Sequence, residues 1–155
     1  DDTAGISPSE MRARTRRLAR EHGEIGLIMV DYLQLMQIKG FGDNRVGEIS
    51  EISRSLKNIA REFECPVIAL SQLNRGPEQR ADKRPSLGDL RESGAIEQDA
   101  DVVLLLHEGN PNDETDLDVL VAKNRHGARG DFKVIREGWY SRMQSRRWSP
   151  SYPAA

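Results

Sequence analysis

Three short, continuous apolar runs constrain the fold of this chain more than any other feature. They occupy residues 27–30, 67–70 and 102–106, and polar or amphipathic stretches separate them. Short unbroken apolar runs are typical of parallel strands that are covered on both faces, whereas a strand with one wet face alternates apolar and polar residues. The sequence therefore predicts two buried strands, at 27–30 and 67–70, and a third apolar strand at 102–106, in a mostly parallel sheet.

Two stretches between these runs have the features of helices. Ser7-Pro8-Ser9-Glu10 has the form of a capping box with proline in the first turn, and it predicts a helix that ends at Gly23. Residues 46–63 carry apolar side chains three and four positions apart, which predicts an amphipathic helix that ends before Pro66. Helices interleaved with apolar strands predict an α/β fold with helices on both faces of the sheet.

The last part of the chain predicts strands of another kind. Residues 119–122 and 132–135 are apolar, and Glu137-Gly138 forms a turn signal that would pair the second of them with residues 139–143. We expect these late antiparallel strands at one edge of the sheet.

Composition limits the classes of function. Apolar residues make up 37% of the 155 residues, below the usual range of roughly 45–50%, so we expect long polar loops or a piece of a larger domain. Because the net charge is −2, any basic surface must be confined to one part of the protein. The arginine-rich stretch 12–20 is interpreted as a solvated helix face, with a nucleic-acid contact as the alternative. Without a membrane-length apolar run or a signal peptide, we expect a soluble cytoplasmic protein.

Two polar residues stand where strands of the predicted sheet end. Asp31 follows the first apolar run and Gln72 follows the second. Ligands of α/β sheets bind beyond the carboxyl ends of the strands, so these residues are candidates for a nucleotide site. An acidic residue after four hydrophobic ones has the Walker B pattern of a magnesium partner, and an amide can bond a terminal phosphate or an attacking water. The alternatives are a helix cap for Asp31 and a surface strand cap for Gln72.

Four longer strings make the interpretation specific. Together they resemble consecutive motifs of DnaB-type replicative DNA helicases, whose motor is a RecA-like P-loop NTPase core. The resemblance extends from residue 1 to about residue 143, and its last string disfavours the alternative of a RecA-like strand-exchange recombinase. The strings are DYLQLM at 31–36, EISRSLK at 51–57, ALSQLNR at 69–75 and DLRESGAIEQDAD at 89–101.

The resemblance implies a motor that uses ATP and Mg²⁺. Such helicases form a homohexameric ring around single-stranded DNA, hydrolyse ATP between subunits and unwind duplex DNA at the replication fork in the cytoplasm or nucleoid. Primase and a helicase loader are further implied partners, through regions outside this chain. By motif, Asp31 would hold Mg²⁺ through water, and Gln72 would sense the terminal phosphate.

The resemblance also assigns two groups of residues to other partners. Arg91, Glu92 and Gly94 match the pore loop that contacts the DNA backbone, where a glycine permits close approach. Lys123 and Arg125, in the string KNRHG at 123–127, match a lysine and an arginine finger that act on a neighbouring subunit's nucleotide. The alternatives are an internal ion pair for Arg91 and solvated charges at a strand end for the two cations.

The sequence departs from the family in one large respect. No Gly-x-x-x-x-Gly-Lys-Ser/Thr string occurs in it, and that Walker A loop supplies the amides and lysine that hold the β- and γ-phosphates. We therefore predict a partial motor domain over residues 1–143, a flexible tail over 144–155, and a chain that by itself has no ATPase activity. A non-catalytic RecA-like DNA-binding module is the alternative.

Overall fold

The computed structural model describes residues 3, 5–90, 94–108 and 116–145. The chain divides into two compact units, of which the first comprises Asp1–Gly76 and Leu87–Ala100, and the second Pro77–Ser86 and Asp101–Ala155. The prediction of one motor domain over residues 1–143 stays a prediction. Most of the predicted tail, residues 146–155, lies outside the described residues.

The first helix of the first unit, α1 (Pro8–His22), has the predicted ends. The backbone N–H of Glu10 donates to the Ser7 hydroxyl oxygen at 3.2 Å, so Ser7 satisfies one of the free donors of the first turn. At the other end Gly23 adopts a φ of 91°, a region that favours glycine. Local chemistry thus fixes both boundaries of α1.

The second helix, α2 (Arg45–Glu62), supplies half of the buried apolar core residues of this unit. Asn44 caps it by accepting the Gly47 N–H at 3.0 Å. The buried apolar residues of α2 recur every three or four positions, which confirms the predicted amphipathic helix. The core combines the α2 residues Ile49, Ile52, Leu56 and Ile59 with Val30, Leu33, Met36 and Ile96.

The strands β1 (Ile28–Val30) and β2 (Val67–Ala69) are parallel, as predicted. The expectation that both of their faces are buried is wrong, because Met29 is 62% and Ile68 is 45% exposed. Successive strand side chains point to opposite faces. The described residues therefore cover one face of this pair, and the apolar residues of the other face remain accessible.

The second unit contains an antiparallel sheet with the strand order β3-β4-β5-β6 among the described residues. Residues 102–106 form a strand, as predicted, but the expectation that this strand belongs to the mostly parallel sheet is wrong among the described residues. β3 pairs antiparallel with β4, and its burial alternates, with Val103 and Leu105 buried and Leu104 exposed. Residue type gave no information about which strand would pair with it. The strands are β3 (Val102–His107), β4 (Asp116–Asn124), β5 (Gly130–Glu137) and β6 (Arg142–Ser145).

The late hairpin is present, with a longer turn than predicted. β5 pairs with β6, and the 3-10 turn Gly138–Tyr140 followed by Ser141 at a φ of 48° delays the return strand to Arg142. The first unit also holds a short helix, α3 (Gly94–Asp99), which is anchored by the buried Ile96. Within the described residues no helix has the length and apolarity to cross a membrane.

Candidate functional site

Asp31 and Gln72 lie at the carboxyl ends of β1 and β2, where Leu70 holds the two ends together. The Leu70 N–H donates to the Val30 carbonyl oxygen, and the Leu70 carbonyl oxygen accepts the Leu33 N–H, both at 2.9 Å. These bonds flank the exposed Asp31. An open cavity of about 340 Å³ lies there, lined by Asp31, Tyr32, Leu70, Ser71 and Gln72. The structure thus brings the two predicted site residues to one cavity.

Gln34, which we did not single out in the sequence, connects the two strand ends by its side chain. Its Oε1 accepts the Gln72 N–H at 3.3 Å, and its Nε2 donates to the Gln72 carbonyl oxygen at 3.4 Å. The same Nε2 lies 3.1 Å from the Ser71 hydroxyl oxygen. A single amide between Leu33 and Leu35 in an otherwise apolar stretch was the signal in the sequence that could have identified it.

An ion pair between the half-buried Arg45 and the buried Glu48 fixes the segment that carries Gln34. The Glu48 carboxylate accepts the Ile38 N–H at 2.7 Å and Arg45 Nη1 at 2.6 Å. Arg45 Nη2 donates to the Gln34 carbonyl oxygen at 2.7 Å. Burial by itself would raise the pKa of Glu48, but the Ile38 hydrogen bond and the hydrogen bond and charge of Arg45 outweigh it, so the pKa lies below the ordinary 4.5.

The donor set at the cavity fits a magnesium ion that is held mainly by a nucleotide. The lining includes one carboxylate, Asp31, together with the Ser71 hydroxyl and the Gln72 amide. Across residues 3, 5–90, 94–108 and 116–145, His, Cys, Asp and Glu side chains form no group of three that could hold a metal. Mg²⁺ usually keeps several waters and binds through one or two carboxylates and substrate phosphates, so one exposed carboxylate suits it.

Lys123 and Arg125 belong to the second unit, and a β-bulge sets the side of the strand on which they lie. Leu104 pairs with Val121, but Val103 pairs with Lys123, so one extra residue is accommodated in β4. The Arg125 N–H donates to the Asp101 carbonyl oxygen at 2.8 Å and continues this ladder. Lys123 and Arg125 therefore lie on the same side of the strand, as two residues separated by one do in extended backbone.

Arg125 forms an ion pair within its own unit. Its Nη1 lies 2.9 Å from Asp101 Oδ1, and the two side chains are 41% and 45% exposed. The turn that follows is closed by Asn124, whose Nδ2 donates to the Ala128 carbonyl oxygen at 3.1 Å. An exposed pair of this kind contributes about 0–1 kcal/mol, so Arg125 can exchange Asp101 for another anion at little cost.

The predicted DNA loop is described only at its last residue. Arg91 and Glu92 lie outside the described residues, whereas Gly94 is exposed at the start of α3. A Cβ added at Gly94 would meet no described atom within 4 Å, so packing in this part of the structure does not demand glycine there. Just before the loop, Leu90 forms an antiparallel bridge with Leu73, the residue after Gln72.

The arginines of α1 form ion pairs with acidic side chains of the first unit. Arg12 and Arg16 both bond the Glu62 carboxylate of α2, the second at 2.6 Å, and Arg14 bonds Glu10. Partial desolvation alone would raise the pKa of Glu62, but these two arginines hold it below its ordinary value. Arg12 and Arg16 are about half exposed, as either a solvated face or a nucleic-acid contact requires, so the solvated face stays a prediction.

Curated proteins similar to this chain include replicative DNA helicases. The Pasteurella multocida (strain Pm70) replicative DNA helicase DnaB is 51% identical over 150 residues, which make up 94% of this chain and 32% of that protein. The Bacillus subtilis (strain 168) replicative DNA helicase DnaC is 56% identical over 136 residues, 84% of this chain and 30% of that protein. The chain thus spans about a third of the length of these curated relatives.

Solved structures agree with this similarity. A DnaB-like replicative helicase, described with its interactions with primase, matches 95% of this chain and 37% of its own at a TM-score of 0.87 and 40% identity. The ATPase domain of G40P matches 94% of this chain and 54% of its own, with the same score and identity. These likenesses confirm the predicted RecA-like α/β fold class.

The family model described as DnaB-like helicase C terminal domain matches residues 1–145. That range contains both strand ends of the cavity and all of the described residues of the second unit. The chain therefore belongs to the DnaB-like helicase C-terminal domain family.

Proposed function

We propose that the complete protein containing this chain is an ATP-dependent replicative DNA helicase. It would form a homohexameric ring and unwind duplex DNA by translocating on single-stranded DNA. The observation that carries this proposal is the cavity shared by Asp31 and Gln72 at the ends of two parallel strands, in a chain of the DnaB-like family.

The chemistry of the cavity suits the hydrolysis of a nucleoside triphosphate. Asp31 would hold a hydrated Mg²⁺, and the Gln72 amide would bond the terminal phosphate or orient the attacking water. When bound, Mg²⁺ would neutralise part of the negative charge that develops on the phosphate during transfer. Ser71 and Tyr32 complete the wall of the cavity and restrict the positions open to that water.

Lys123 and Arg125 would act on the nucleotide of a neighbouring subunit. Their location on one side of an extended segment lets both cations approach a single triphosphate. Arg125 would exchange its exposed partner Asp101 for the γ-phosphate, a stronger anion. Its position after the last residue of β4, with the short turn behind it, supports this role.

The DNA-binding role rests on Arg91, Glu92 and Gly94 by their resemblance to the family's pore loop. The open space around Gly94 supports close approach of a DNA backbone to the start of α3. The Leu73–Leu90 bridge provides a short connection from Gln72 to this loop, by which hydrolysis would alter the grip on DNA. We further propose that the complete protein acts at the cytoplasmic replication fork, with primase and a helicase loader as partners.

The test uses the complete gene product with ATP, Mg²⁺, single-stranded DNA and a forked duplex. We expect ATP hydrolysis that DNA stimulates, and unwinding that requires it. Gln72→Ala should lower DNA-stimulated kcat by roughly 10²-fold, the effect of removing one donor to a reacting oxyanion. Gln79→Ala, a change to an exposed glutamine of the second unit, is the matched control.

Two results would contradict the proposal at different levels. A wild-type protein without ATP hydrolysis or unwinding would refute the helicase assignment. A normal kcat in Gln72→Ala, alongside an active wild type, would remove only Gln72 from the site.

A further inference from the structure

The parallel ladder between β1 and β2 continues past the strands through a side chain. The last backbone bonds of the ladder involve Leu70, with Val30 on one side and Leu33 on the other. On the β2 side the next residue to be bonded is Gln72, and its backbone N–H and carbonyl groups are both bonded to the side-chain amide of Gln34. A side-chain amide carries a donor and an acceptor as a peptide group does, so Gln34 takes the place of a strand residue there.

Gln34 is itself held in a fixed position. It lies in the 3-10 turn Leu33–Leu35, whose first residue is buried in the core. Its carbonyl oxygen accepts Arg45 Nη2 at 2.7 Å, and Arg45 is held in turn by the buried Glu48. The amide of Gln34 is therefore presented from a fixed backbone, by a network that reaches into α2.

We infer that Gln34 is a positioning residue for Gln72. Because the N–H and the carbonyl group on either side of the Gln72 Cα are both bonded, the direction of its Cα–Cβ bond is fixed. The exposed side chain of Gln72 then starts from a defined direction at the cavity that contains Asp31. This inference rests on the proposed function, in which Gln72 contacts the terminal phosphate or the attacking water.

A positioning role for Gln34 predicts a different kinetic effect from a role in stability alone. Loss of the Gln34 amide should release Gln72 and the Ser71 hydroxyl, but it should leave Asp31, the proposed magnesium partner, in place. The complete gene product with Gln34→Met, which keeps the length of the side chain but lacks the amide, should show a kcat about ten-fold lower, equivalent to about 1.4 kcal/mol. KM for ATP should stay within about two-fold, since the loss is confined to the transition state.

A double-mutant cycle with Gln72→Ala separates the two roles. If Gln34 acts through Gln72, Gln34→Met should change kcat by less than about two-fold in the Gln72→Ala background, although it lowers kcat in the wild-type background. Gln37→Met is the matched control, since this glutamine lies on the same segment with its side chain beside Gly5. Gln34→Ala serves in the same cycle if the methionine variant is unstable.

Each outcome decides something. A lowered kcat with an unchanged KM and a non-additive cycle supports the inference. A wild-type kcat in Gln34→Met, or effects of the two changes that multiply, overturns it while Gln72 keeps its proposed role. A wild-type kcat in Gln72→Ala refutes the role of Gln72, and the inference about Gln34 is refuted with it.

Discussion

Arg125 is expected to act on a neighbouring subunit's nucleotide, and the structure sets the scale of the effect. In this chain Arg125 pairs with Asp101 at 2.9 Å, with both side chains more than a third exposed. Such a pair contributes about 0–1 kcal/mol, so breaking it costs at most about five-fold in any rate. An arginine finger contributes roughly 10³–10⁵ in rate, which exceeds that cost by orders of magnitude.

Two substitutions in the complete gene product, Arg125→Ala and Asp101→Asn, separate the finger role of Arg125 from its ion pair with Asp101. Arg125→Ala should lower ATPase kcat by roughly 10³-fold or more, because the developing charge on the γ-phosphate loses its partner. Asp101→Asn should change kcat by less than about five-fold, because it neutralises one exposed ion pair of Arg125. Arg129→Ala, a change to an exposed arginine four residues further on, is the control for lost surface charge.

Mixing two inactive variants tests whether Arg125 acts between subunits. An Arg125→Ala subunit keeps Asp31, and an Asp31→Asn subunit keeps Arg125. In rings assembled at random from equal amounts, about a quarter of the interfaces combine an intact Asp31 with an intact neighbouring Arg125. We expect ATPase activity to recover toward that fraction of wild type. ATPase activity is the readout because, under the proposed function, unwinding would require the whole ring.

One result would refute this reasoning. If native mass spectrometry shows mixed rings and their ATPase activity is no higher than that of either parent, Arg125 and Asp31 do not serve one nucleotide from opposite subunits. Arg125 would then be a solvated charge at the end of β4, paired with Asp101.

Three further predictions concern the described contacts. The pKa of Glu48 is below its ordinary 4.5 in the folded protein, so its contribution to stability is full above that pH and is lost as the pH falls through the lowered value. Glu48→Gln should therefore speed amide hydrogen exchange of residues 34–38 at pH 7, because it weakens a charged hydrogen bond worth about 1.5–3 kcal/mol. Below the folded-state pKa of Glu48 the variant and the wild type should exchange at the same rate. Equal exchange rates at pH 7 would contradict this prediction. Gly94→Ala should leave the thermal unfolding midpoint unchanged or raised, since alanine favours helix by roughly 0.5–1 kcal/mol, yet weaken single-stranded DNA binding in a fluorescence titration; unaltered affinity would argue against a DNA contact there. Ser7→Ala should destabilise the first turn of α1 by about 1 kcal/mol, seen as faster exchange of the Glu10 amide, and unaltered exchange would show that the Ser7 cap contributes nothing.

The helices α1 and α2 could be predicted because their signals are local. The boundaries of α1 follow from Ser7, Pro8 and Gly23, which act within one turn of the helix ends. The buried face of α2 follows from the 3.6-residue period of its apolar side chains. Asp31 and Gln72 could be placed at one edge because parallel strands end on the same side of a sheet.

The remaining features depend on pairings between distant parts of the chain. An apolar run specifies a strand without specifying its neighbour, so β3 was assigned to the parallel sheet although it pairs with β4. The bulge opposite Val103 and Leu104 decides the side on which Lys123 lies, and no residue type in the run marks it. Gln34 bonds Gln72 across 38 residues, a contact that exists only after β1 and β2 have paired.

The most direct test of the central claim compares Asp31→Asn with Asp43→Asn in the complete gene product. Asp43 is an exposed aspartate in the loop before α2, which makes its substitution a matched change of charge. The measurements are kcat for ATP hydrolysis at saturating Mg²⁺ and single-stranded DNA, and the affinity for a fluorescent ATP analogue.

Asp31→Asn removes one negative charge from the proposed magnesium site. That charge stabilises the transition state more than it stabilises the bound nucleotide. We expect its kcat to fall by roughly 10²-fold or more, with affinity changed by less than about five-fold, while Asp43→Asn behaves as wild type. Near-normal turnover in Asp31→Asn would contradict the assignment of this cavity as the site of ATP hydrolysis.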